Sequence, residues 1–131
     1  ESQGKLYCCP YNAAEVLVLD AVTQAVTFID TGREQGRGNW NRIVERQGKL
    51  YCCPYHAADV MVIDVATEAV SFIDTGKEQG GGKWFGIAEC QGKLYCCPYN
   101  AAEVMVIDPT TEVVTFIDTG RGQGGFKWND I

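Results

Sequence analysis

Two groups of residues recur in this chain in patterns that could do chemistry. Adjacent cysteines stand at Cys8-Cys9, Cys52-Cys53 and Cys96-Cys97, and Asp-Thr-Gly begins at Asp30, Asp74 and Asp118. Paired thiols can form disulfides, hold a soft metal or carry electrons. An aspartate in a tight turn can activate water when a second carboxylate shares its proton. The spacing weakens both readings. Adjacent residues of a strand point to opposite faces, so vicinal thiols do not easily join each other. The C-x-x-C spacing of zinc sites is absent, and His56 is the sole histidine. No metal and no cofactor are expected. The cysteines read as small apolar residues, mostly reduced, packed between sheets. Disulfides between sheets and a metal or redox role are the alternatives. Seven cysteines leave at least one thiol without a partner in the chain, which favours a reducing, cytoplasmic compartment.

Asp-Thr-Gly resembles the active-site turn of aspartic proteases. That chemistry needs two such loops facing each other, and here there are three. A long basic residue (Arg33, Lys77, Arg121) follows each glycine, where that family has Ser or Thr. The string reads as a turn where a strand ends, and no catalytic residue is expected.

The elements that carry these residues follow from a 44-residue unit that recurs three times. Gln-Gly-Lys-Leu-Tyr-Cys-Cys-Pro-Tyr starts at Gln3, Gln47 and Gln91. The units cover residues 3–46, 47–90 and 91–131, so the chain reads as one repeat domain. In the middle unit, Lys49 to Pro54 reads as a strand after a Gln-Gly turn. Val60 to Asp64 is a continuous apolar run, as in a strand buried on both faces. Ala69 to Asp74 alternates like a half-exposed strand. Trp84 to Glu89 is the fourth strand, after a glycine-rich loop. No helical period is present. Each unit is a four-stranded antiparallel meander, and a radial array of such sheets is a β-propeller.

Two loops of each meander should emerge on one side of the array. They carry the expected ligand-binding residues: Trp40, Trp84 and Trp128 from one loop, and Tyr11, Tyr55 and Tyr99 from the other. Beside them stand Asn12, His56 and Asn100, with Lys83 and Lys127. Aromatic and amide groups suit carbohydrate or peptide. The competing reading is that each Trp packs under its loop and each Asn caps a turn. The innermost strand varies most, and Arg42, Phe85 and Asp130 are expected to line the central channel.

The motifs Gly92-Lys93-Leu94-Tyr95, Val104 to Val113 and Trp84 to Ala88 resemble the YVTN/NHL-like group of β-propeller repeats. The resemblance covers all three units but departs at Cys-Cys-Pro. It implies a scaffold, since that group includes binders and enzymes.

The net charge of −6 excludes a general nucleic-acid binder and docking on anionic lipid. Neither nucleic acid nor a membrane is an expected partner. The expected function is a non-enzymatic scaffold or binding module, lectin-like, with repeated equivalent sites. A self-assembling structural protein or a fragment of a larger propeller is the alternative. An enzyme with a site at the channel mouth has the least material to draw on. Propellers usually hold four to eight blades. Three are therefore expected to close with copies of the chain, six blades from a dimer being favoured over nine from a trimer. In that scheme, residues 128–131 supply the inner strand of a blade begun at residue 1.

Overall fold

The computed structural model describes residues 1–131 as an all-β chain of eleven strands. The first sheet holds β1 (Lys5–Cys8), β2 (Glu15–Asp20) and β3 (Val26–Asp30). The second holds β4 (Trp40–Arg46), β5 (Lys49–Pro54), β6 (Asp59–Asp64) and β7 (Val70–Asp74). The third holds β8 (Trp84–Cys90), β9 (Lys93–Pro98), β10 (Glu103–Asp108) and β11 (Val113–Asp118). Every neighbouring pair is antiparallel, and the strands lie side by side in chain order. No helix is long and apolar enough to cross a membrane.

Turn chemistry sets the registers. Between β4 and β5, Gln47 and Gly48 both have positive φ, 52° and 77°. Two such residues in a row twist as the flanking strands do, which is why a short hairpin takes this form. The Glu45 carboxylate accepts from the Gly48 N–H at 2.8 Å and closes the turn. Between β6 and β7, the Asp64 carboxylate accepts from Ala66 and Thr67 N–H. Those two bonds, with burial acting against them, hold its carboxyl below the usual range.

The central strand β6 is buried on both faces: Val60 to Ile63 are at most 1% exposed. Its even and odd residues serve different cores. Met61 and Ile63 join Leu50, Cys52, Val16, Val18 and Trp40 between the first and second sheets. Val60 and Val62 join Tyr51, Leu94, Met105, Ile107 and Trp84 between the second and third. The sheets are therefore stacked face to face, and each internal junction has its own apolar core.

Trp128 to Ile131 lie in no strand, and Asp130 and Ile131 approach the backbone at Gly86 on β8. The first sheet has three strands where the others have four.

The inner strands carry a bulge. The β4–β5 register shifts between Asn41 and Ile43, and Arg42 takes a φ of 62°. A bulge re-aims the side chain at the extra residue. Arg42 points to Asp130, 3.4 Å away, with its guanidinium 5.8 Å from the centre of the Phe85 ring. The three residues expected in the channel thus come together.

Candidate functional site

Each glycine-rich loop is tied to the loop that follows the Cys-Cys-Pro strand. The Gly80 N–H donates to the His56 carbonyl and the Lys83 N–H to the Tyr55 carbonyl. The equivalent bonds run from Gly124 to Asn100 and from Lys127 to Tyr99. Side chains reinforce the tie. Asn12 Oδ1 accepts from Gly38 N–H, His56 Nδ1 from Gly82 N–H, and Asn100 Oδ1 from Phe126 N–H. Asn12, His56 and Asn100 thus serve as loop caps.

His56 is the copy of this cap that titrates. Burial, then the Lys83 charge, pushes its pKa below the ordinary value. Protonation would also remove the Nδ1 acceptor. As pH falls through the ordinary histidine pKa of about 6.5, the unfolded chain takes up the proton first, so folded stability drops. Above that pH, the contribution is fully present. His56→Asn should remove this part of the acid sensitivity, because Asn12 and Asn100 do the same work without a titrating group. Urea denaturation at about pH 7.5 and about pH 5.5 checks it. An equal acid loss in both proteins would contradict the assignment.

The tryptophans differ in placement. Trp40 and Trp84 are 2% and 1% exposed, whereas Trp128 is 42% exposed. The Trp40 and Trp84 indole N–H groups donate to the Asp59 and Glu103 carbonyls, both at 2.9 Å. Their rings stack on Phe72 and Phe116. They form the floor beneath the loops and offer no free ring face. Lys83 and Lys127 bend inward: Lys83 Nζ donates to the carbonyls of His56, Glu78 and Gly80, and Lys127 Nζ to those of Gly122 and Gly124. Burial pushes Lys83 down to about 8, against the pull of Cys53 and Asp59. The three carbonyls favour the ammonium, so Lys83 is a loop clip.

The tyrosines form a band across the sheets. Tyr11 and Tyr55 have centroids 5.9 Å apart, and Tyr55 and Tyr99 are 5.7 Å apart. Phe85 packs against both Tyr55 and Tyr99, and Phe126 lies 5.1 Å from Tyr99. Phe126 was not expected. It stands where the other copies have Gly38 and Gly82 and keeps their positive φ, at 47°. It is 68% exposed. A phenylalanine in a place otherwise held by glycine was the readable signal.

The residues that do line open clefts are mostly amides, backbone and paired charges. One cleft, of about 710 Å³, lies between the second and third sheets above Trp84. Gln79, Gln123, Asn100 and Phe126 edge it. A second, of about 270 Å³, lies between the first and second sheets above Trp40, with Gln35 and Gln79 at its edges. Arg33, Gln35, Trp40, Asp59 and Gln79 in the smaller cleft correspond by repeat position to Lys77, Gln79, Trp84, Glu103 and Gln123 in the larger. Gln79 therefore borders both. In each cleft one ion pair of 2.8 Å, Arg33–Asp59 or Lys77–Glu103, holds a basic residue to an acid, while Glu34 in the smaller cleft and Glu78 in the larger carry carboxylates outside any ion pair.

The Asp-Thr-Gly copies close on themselves. Asp30, Asp74 and Asp118 accept from the N–H of the glycine two residues on. The threonine hydroxyls donate to Ala14, Ala58 and Ala102 carbonyls. All seven cysteines are free. Burial pushes the Cys52 and Cys53 thiols well up, and interactions with Cys9 and Cys96 respectively add to it. Raised thiols of this kind are poor nucleophiles. No group of three or more His, Cys, Asp or Glu residues is arranged to hold a metal ion.

No protein-family model and no curated protein matches the chain. Solved structures do. Virginiamycin B lyase from Staphylococcus aureus superposes with a TM-score of 0.76 over 93% of this chain and 40% of its own, at 10% identity. An auxiliary nutrient binding protein from Bacteroides thetaiotaomicron gives 0.65 over 95% and 36%, at 17% identity. Myxococcus xanthus glutaminyl cyclase gives 0.55 over 92% and 51%, at 18% identity. The chain spans about two fifths of the length of the lyase structures it resembles. The fold is that of β-propeller blades.

One expectation is corrected by these likenesses. The sequence led to the conclusion that the chain is not an enzyme, because near-identical units offer no asymmetric catalytic group. A lyase and a cyclase are built on the same fold. A regular scaffold therefore does not exclude catalysis, since chemistry resides in residues grafted onto its loops.

Proposed function

We propose that this chain is a YVTN/NHL-like propeller segment, built of the 44-residue unit, that binds neutral polar ligands in the clefts between neighbouring blades. The observation that carries this reading is the correspondence of the two clefts. The same repeat positions build both, with amide side chains at the edge, an internally paired charge and an indole floor. Primary amides donate and accept at once, as the hydroxyls of a sugar or the backbone of a peptide require. The basic residue of each cleft is held by its acid partner, and Glu34 or Glu78 in the wall disfavours an anionic ligand, so recognition falls to the amides.

Carbohydrate is the better match. Phe126 supplies an exposed aromatic face beside Asn100 and Gln123 at the larger cleft, so the two clefts differ in strength. A lectin-like module with sites of this kind gains by avidity on a multivalent target.

A glycan array on the labelled protein, followed by calorimetry on the hits, tests this. Gln79→Ala should weaken both sites, because the residue borders both clefts. Gln123→Ala should weaken the larger site alone. A lost hydrogen bond is worth about 0.5–1.5 kcal/mol, or roughly two- to twelve-fold in affinity at each site. An array without hits, or hits whose affinity ignores both substitutions, would defeat the proposal.

A further inference from the structure

The two internal blade junctions are made by one recurring set of contacts. Arg33 reaches across to Asp59 at 2.8 Å, and Lys77 to Glu103 at the same distance. The same two cations lie over Phe72 and Phe116, 4.3 Å and 4.5 Å from the ring centres. Those rings stack on Trp40 and Trp84, each pair 6.0 Å apart. Each junction thus joins a basic residue that follows one sheet to an acid and a phenylalanine of the next, and that phenylalanine stacks on the tryptophan that opens its own sheet.

Both halves of a third such junction are present, on opposite ends of the stack, and neither has a partner. The third sheet is followed by Arg121 and Trp128, the first carries Glu15 and Phe28, and Arg121 and Glu15 are in no ion pair. Exposure marks the same pattern. Leu6 is 41% exposed, while its counterparts Leu50 and Leu94 are 2% and 0%. Ile117 is 52% exposed, while Ile73 and Ile29 are both 7%. Phe28 is 58% exposed. On the third sheet's free face, an apolar cleft of about 290 Å³ is lined by Val104, Thr119, Arg121 and Trp128. By correspondence with the internal junctions, a phenylalanine belongs there.

We propose that the free face of the third sheet docks onto the free face of the first sheet of a second copy of this chain. Phe28 of that copy enters the cleft and stacks on Trp128, and its Glu15 pairs with Arg121. Faces that differ on the two partners make a heterologous contact, which closes a ring or runs on as a chain of copies. The contact also builds a further binding cleft that neither copy holds alone. Gln123 and Trp128 come from one side and Gln35 from the other, repeating the roles of Gln79, Trp84 and Gln123 at the cleft above Trp84.

Charge reversal tests this pairing in the whole chain, without using the ligand. Light scattering over a concentration series should give at least twice the 14.4 kDa of one chain. R121E alone and E15R alone should each weaken association by at least about tenfold, since like charges placed opposite each other cost several kcal/mol. The double variant R121E/E15R restores the pair with its signs exchanged and should recover association. Circular dichroism confirms that each variant keeps its strands. A mass of one chain at every concentration would overturn the proposal. So would association that both single reversals leave unchanged, or a double variant no better than the singles.

Discussion

Trp84→Ala is expected to cost about 3–5 kcal/mol of folding stability, the range for removing a large aromatic side chain from a close-packed core. Trp84 is 1% exposed and packs between the second and third sheets with Met105, Ile107 and Leu94. Its loss also leaves the Glu103 carbonyl without the indole donor and Phe116 without its stacking partner. The cavity cannot collapse easily, because Lys83 and the glycine-rich loop above are clipped to fixed carbonyls. Trp128→Ala is the control. That ring is 42% exposed, and its removal from the dilute protein should cost about 1 kcal/mol or less, near the ordinary range for surface positions. Urea unfolding of both variants gives the comparison. Similar losses at the two positions would mean that Trp84 does not hold the junction.

Gly82→Ala should cost about 2–5 kcal/mol. Gly82 has a φ of 52°, a region that disfavours a side chain by about 1–2 kcal/mol. A methyl group there would also come within 2.9 Å of the Tyr55 ring and hydroxyl, which pack directly over the glycine. Overpacking of that kind adds about 1–3 kcal/mol. Gly76→Ala separates the two terms. Gly76 has a φ of 70° with open space around it, so only the backbone term applies. A larger loss at Gly76 than at Gly82 would contradict this account. Phe126 holds the equivalent position with a φ of 47° and its ring tilted against Tyr99, 5.1 Å between centroids.

The strands were readable because each is bounded by a turn whose residues have a mechanism. Val60 to Ile63 could be read as buried on both faces, since no polar residue interrupts it. The Gln-Gly pairs marked hairpins through positive φ. The outer strand and the inner strand were equally legible, with ends displaced by a residue at most in the middle unit. Residues 128–131 were not: they repeat the start of an inner strand, but strand structure also requires a neighbour to pair with.

The candidate site was less legible, for a physical reason. Residue type suggested that Trp40, Trp84, Asn12, Asn100, His56, Lys83 and Lys127 could face a ligand. Their surroundings give the indoles, amides, ring nitrogen and ammonium groups partners within the loops, which only packing reveals. Gln79 borders two clefts because it lies on the loop between stacked blades, and neighbours in space are not marked by spacing in sequence. Arg33 and Lys77 could be recognised as unlike a protease turn, but not as bridges to Asp59 and Glu103.

The central claim is that ligand sits between blades, at the amide-edged clefts, and not in the channel. A titration of ¹⁵N-labelled protein followed by nuclear magnetic resonance, using the glycans that score on the array, tests it most directly. The account predicts that the side-chain amide signals of Gln79 and Gln123 move together with the Phe126 backbone signal, while Arg42, Phe85 and Asp130 stay in place. Shifts confined to Arg42, Phe85 and Asp130, or no shift in the glutamine amides at saturating glycan, would contradict it.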